Sequence, residues 1–194
     1  MTELFFVLRV VHIINAILMA WPFYALVSVN QRARLGPPLG DRADTFIENI
    51  IKNRTIPCFV FQGTALATGL ALVLLRGEGL QPLLASAALL AKFVMLLLIA
   101  GLLSYVHVSV QPRIDALFAK GGSPVEKEVA SQIGTLRSRR KGIAAVCLLV
   151  VLTSAMLGVQ GWVPFPGWLT AVMMFAIVLF TWRAYTSVTP YGWM

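Results

Sequence analysis

Charge is scarce in this sequence. Only 12% of its residues are Asp, Glu, Lys or Arg, and acids number eight in 194. An ordinary soluble domain carries roughly 25% charged residues. With a mean hydropathy of +0.80, that scarcity excludes a water-facing surface of this size. Thiols and imidazoles are scarcer still, two of each. Cys58 and Cys147 lie in apolar stretches without CxxC spacing, so they read as small residues inside helices rather than a zinc or dithiol motif. No GxSxG, P-loop or HExxH occurs, which leaves conventional hydrolase and nucleotide chemistry without its residues. Seven methionines form no MxxM array, so the sequence gives copper(I) handling little support. The short alternating segments of a β-barrel are missing, as are repeats and low-complexity tracts.

What remains is long and apolar. Five stretches approach or exceed the roughly 20 residues that a bilayer core requires: 4–29, 55–75, 82–110, 142–159 and 168–188. Lipid offers a backbone no hydrogen bonds, so each is expected to be a helix. The expected fold is all-α: a single polytopic bundle of five transmembrane helices. The first stretch starts almost at Met1, lacks a basic leader region and is long enough to span, so it reads as a span and not as a cleaved signal.

The net charge is +8. In a soluble protein that would point to nucleic acid, but no motif of that class is present. Twelve of the sixteen basic residues fall in two loops. Arg32, Arg34, Arg42, Lys52 and Arg54 lie between spans one and two. Arg113, Lys120, Lys127, Arg137, Arg139, Arg140 and Lys141 lie between spans three and four. The positive-inside rule then places the N-terminus outside and the C-terminus in the cytoplasm.

Both long loops carry helical signals. The segment 44–54 (DTFIENIIKNR) spaces Phe46, Ile47, Ile50 and Ile51 as a helix that lies on the membrane surface or extends span two. Ser123-Pro124 followed by Glu126 reads as a helix start whose helix runs to about Arg140 and feeds span four. Trp162, Phe165 and Trp168 around Pro164 and Pro166 suggest an interfacial hairpin.

Polar groups within spans are costly in lipid and mark the bundle interior or a cofactor. Span one carries Arg9, His12 and Asn15 three apart, hence on one face. Span two carries Gln62, Thr64 and Thr68; span three carries Lys92, Ser104 and His107. Arg183 reads as an anchor at the inner end of span five. At 1.5 Å per residue, His12 lies about 12 Å into span one and Lys92 about 15 Å into span three, which runs the same way. Imidazole and amine are therefore expected at one depth, where they could clasp a haem iron, with Arg9 placed to meet a propionate. Snorkelling of Lys92 and a purely interhelical hydrogen bond for His12 are the plain alternatives. His107 lies about 22 Å beyond Lys92. It is expected to ligate a second haem or to sit at headgroup level, not to share an iron with His12.

Span one (LRVVHIINAILMAWPFYAL) resembles the first helix of the CopD/HemJ-like superfamily of small bacterial membrane proteins, which places a histidine early. Span two, with Pro57 and Thr68-Gly69-Leu70, resembles their proline-then-TGL helix. Span three (AKFVMLLLIAGLLSYVHVSVQPRIDAL) resembles their lysine-bearing third helix. The likeness covers about 4–157, leaving span five beyond a four-helix core. It implies a haem b cofactor, with the first-helix histidine and third-helix lysine, here His12 and Lys92, as the functional pair. It further implies a bacterial cytoplasmic-membrane location and a role in electron transport or in porphyrinogen or quinol oxidation, a membrane haem oxidoreductase akin to protoporphyrinogen oxidase. CopD-like relatives imply copper handling. A structural or accessory subunit of a larger respiratory or photosynthetic complex, packed on other membrane subunits or a homodimer partner, fits the scarcity of titratable groups.

Overall fold

A computed structural model describes residues 2–53, 55–75, 77, 79–121, 125–161 and 163–187. Ser123-Pro124, Arg54, Trp162 and Val188 lie outside the described residues, so the helix start, loop basicity, hairpin and span end assigned to them are untouched by it. Every regular element among the described residues is helical. The elements are α1 (Thr2–Leu18), α2 (Trp21–Leu35), α3 (Arg42–Lys52), α4 (Thr55–Leu74), α5 (Gln81–Ala85), α6 (Ala87–Tyr105), a π turn (Val106–Val110), α7 (Gln111–Lys120), α8 (Lys127–Gln160) and α9 (Gly167–Thr186). They make up five helical runs long and apolar enough to cross a membrane.

The first run is broken where one helix was expected. Pro22 lacks an N–H and its ring presses on the carbonyl four residues back, so the helix yields at Met19–Ala20 and restarts as α2. The same physics acts at Pro112, where the third run widens into the π turn before α7. Gly36, with a left-handed φ of 58°, closes α2 by donating its N–H to the Arg32 carbonyl. Asp41 opens α3 by accepting from the Asp44 N–H at 2.7 Å.

Helix α8 is the axis. Its 34 residues extend about 51 Å, well beyond a hydrocarbon core of roughly 30 Å. The apolar part begins near Gly142; the part before it is charged and stands at the end of the bundle that carries both basic loops. Leu26 of α2, Leu148 of α8 and Ala184 of α9 form one packed cluster. Ile99 of α6 with Cys147 and Val151 of α8 forms another, covered by Met19. Asn30 reinforces the first by donating to the Ala184 carbonyl at 2.7 Å.

The two ends of the bundle differ. Towards the basic end, α2 packs on α3, α8 and α9. Towards the opposite end, α1 packs mainly along α4, while α6 packs on α8 and α4. Leu4, Phe6, Val7, Ile13, Ile14 and Ile17 of α1 are exposed, as are Phe175, Leu179 and Trp182 of α9. Such an apolar exterior is compatible with a lipid-facing surface.

Candidate functional site

The end of the bundle opposite the basic loops holds the residues expected to carry chemistry. The His12 ring packs against Gly69 of α4, where a Cβ would come 3.4 Å from His12 Cε1. Its Nδ1 lies 2.7 Å from Thr68 Oγ1. That hydroxyl has one proton, and Thr68 Oγ1 donates it to the Thr64 carbonyl at 2.6 Å. Thr68 therefore accepts from His12, which places a proton on Nδ1. In the neutral ring Nε2 then carries the lone pair, the state a metal ligand requires. Asn15, one turn further along, donates to the Phe61 carbonyl at 2.7 Å and pins α1 to α4.

Lys92 of α6 comes within electrostatic reach of the His12 ring. Arg9 sits three residues before His12, on the same face of α1 and half-buried.

His107 stands apart. It lies in the π turn, is exposed, and meets Phe59 edge to face at 5.9 Å. Phe59 and Thr68 are nine residues apart on α4, about 13 Å along the axis. His12 and His107 therefore occupy different levels and cannot share one metal. Among the described residues no three His, Cys, Asp or Glu side chains gather as a metal site.

Between the helices lies a cavity of about 30 Å³, lined by Met19, Cys58, Gln62 and Cys147 among others. It has room for one water or one ion. Gln62 Oε1 is buried without a hydrogen-bond partner. Cys58 and Cys147, 89 positions apart on α4 and α8, line this one cavity, which sequence spacing alone does not foretell.

At the basic end the loops are not merely solvated cations. Arg137 Nη1 and Nη2 both donate to Asp44, at 2.9 Å each, and Nη2 lies 3.1 Å from Glu48. Arg32 donates to Glu48 at 2.7 Å. Arg140 donates to Glu48, at 3.0 Å from Nη2, and to Gln111. Gln111 Nε2 donates to Glu48 at 3.2 Å. The Arg137 guanidinium also lies over the Phe118 ring, 5.0 Å from its centre. Burial alone would raise the Glu48 carboxyl; the Arg140 hydrogen bond and charge, with Arg137 and Arg32, outweigh it and hold the group at about 2. So α3 turns its acids inward and leaves Phe46 outside, and it leads into α4 in one helical run. The available signal was the pair Asp44 and Glu48 at i and i+4 facing Arg137 and Arg140 at i and i+3.

Together these features define a helical bundle clamped by ion pairs at one end, with a half-buried imidazole packed on α4 towards the other. No family model, curated protein or solved structure matches the chain.

Proposed function

We propose that this chain is a multi-pass membrane protein that binds haem b through His12 and serves electron transfer or the oxidation of a quinol or porphyrinogen. The observation that carries the reading is the Thr68 hydroxyl, which holds the His12 Nδ1–H and leaves Nε2 to bind iron. A porphyrin supplies four of the iron's ligands, so one imidazole and one further group suffice from the protein. That need matches a lone histidine better than a protein-only metal centre. The polar face of α1, with His12 and Asn15, packs on α4, and a haem would have to enter between α1 and the facing helices beside it. A bound haem b supplies one-electron transfer between its ferric and ferrous states.

Each side chain has a distinct task. His12 would hold the iron, its ring fixed in rotation by Thr68 and seated on Gly69. Lys92, on the facing helix, is the second candidate ligand or a counter-charge to a propionate. Arg9 lies one turn nearer the end of α1 and suits the other propionate. His107 lies too far along α4 to act on the same iron and is the candidate for a second. The location that suits this arrangement is a bacterial cytoplasmic membrane, N-terminus outside and basic loops in the cytoplasm. The resemblance to CopD/HemJ-like proteins supports the same reading. Protein purified from haem-replete cells is expected to show a sharp visible band that shifts on reduction; a colourless preparation would end it.

The cavity beside Cys58 favours a second reading, copper(I) handling. Two thiols and the Met19 thioether are soft donors suited to copper(I). Under this reading the purified protein binds one copper(I) per chain in competition with a chromogenic chelator, and Cys58→Ser with Cys147→Ser abolishes it. Equal binding by the double variant would dismiss it.

A further inference from the structure

An open apolar groove of about 300 Å³ runs between α8 and α9. Gly142, Ala145 and Leu149 line it from α8, and Val178, Thr181 and Trp182 from α9. Gly142 leaves its part of the wall bare, since a Cβ there would meet nothing within 4 Å. From Gly142 to Leu149 the bed runs about 10 Å along α8. Lys141 stands at the end nearest the basic loops, its ammonium 4.8 Å from the centre of the Tyr185 ring, which also lines the groove. Among the described residues no carboxylate pairs with Lys141. Thr181 Oγ1 is buried in the wall without a hydrogen-bond partner. Trp182 is 63% exposed beside it, the amphipathic ring expected near a membrane interface.

An apolar bed ending in an uncompensated cation has the polarity of one lipid, tail along the bed and anion at the mouth. We infer that this groove seats an acyl chain of an anionic phospholipid from the leaflet facing the basic loops, with its phosphate at Lys141. A lipid tail satisfies the bare wall at Gly142, and the charge of Lys141 selects the headgroup. The inference rests on the membrane reading above and is independent of the haem reading.

Native mass spectrometry of the full chain in detergent, titrated with phosphatidylglycerol or phosphatidylcholine of equal chain length, tests it. Wild type is expected to retain one phosphatidylglycerol about fivefold more tightly than phosphatidylcholine, the worth of one lysine near an anionic surface. Lys141→Ala should abolish that preference while phosphatidylcholine still binds. Ala145→Phe, which fills the bed, should weaken both lipids at least about tenfold, the worth of two buried methylenes. Lys141 is only partly buried, so its variant keeps the test decisive even where Ala145→Phe fails to fold. Equal affinity for both lipids in wild type, or a preference unchanged in Lys141→Ala, overturns the inference. A dimer lost in Ala145→Phe would overturn it too, because a second copy would then occupy the groove. Release of the chain from cell membranes by alkaline carbonate would instead sink the membrane reading itself.

Discussion

Replacing Glu48 with alanine is expected to destabilise the folded protein by about 3–5 kcal/mol, the usual consequence of removing one partner from a buried ion pair. Three guanidiniums, those of Arg32, Arg137 and Arg140, converge on this carboxylate. Without it they face only Asp44 and the Gln111 amide. Arg137 Nε and Arg140 Nε already lack partners in the native packing, so the cluster has no spare acceptor to offer. In a chain of this size the loss corresponds to a fall of roughly 10 °C in the melting temperature measured in detergent. The exposed pair Lys52–Asp115, at 2.7 Å with both side chains at least 40% accessible, gives the contrast. Lys52→Ala should shift stability by less than about 1 kcal/mol, because water screens such pairs.

The same cluster gives a pH signature. The Glu48 carboxyl is held at about 2, below its ordinary 4.5. Its depressed value means that its stabilisation is complete above about pH 4.5 and is lost as the pH falls from there towards 2. Melting temperature against pH should therefore drop across that window in wild type and flatten in Glu48→Ala. An equally steep drop in the variant would assign the acid sensitivity to other carboxylates.

Thr68→Val is the second substitution with a large expected effect. Valine keeps the shape of threonine and removes the hydroxyl that accepts from His12 Nδ1. The imidazole then loses its rotational anchor and the preference for a proton on Nδ1. Removing the outer partner of a ligating histidine typically weakens binding 10–100-fold, and haem retention should fall by about that factor. The fold should persist, because helix α4 keeps its backbone hydrogen bonds and its contacts with α1. A variant that retains haem as wild type does would show that the Thr68 contact has no part in ligation.

Much of the architecture was legible because long apolar runs read as helices of spanning length. The apolar runs at 55–75 and 142–159 recur as α4 and the apolar part of α8, and the 168–188 run as α9. Prolines were visible too, but their effect on a span that reads as continuous depends on local geometry; Pro22 splits the first run and Pro112 only widens the third. The charged half of α8 was expected as a helix feeding span four, and it does so without interruption. What its residues bond to was hidden. Arg137 and Arg140 satisfied the positive-inside rule as written, and nothing in a charge count distinguishes a solvated arginine from one buried on Asp44. The depth count for Lys92 assumed one helix from Pro82, but the chain breaks at Ser86 between α5 and α6, a break set by local geometry that apolar length does not reveal. The Thr68 contact needed the rotation of α4 about its axis, which the sequence does not specify. The meeting of Cys58, Cys147 and Met19 required the packing of three helices at once.

Haem content of the purified wild type and His12→Ala, quantified as the pyridine haemochrome against protein, puts the assignment of His12 to the test most directly. Ligation by His12 requires about one haem b per wild-type chain and a near-complete loss in the variant, with its helicity unchanged. Undiminished haem in His12→Ala would contradict it and direct attention to His107.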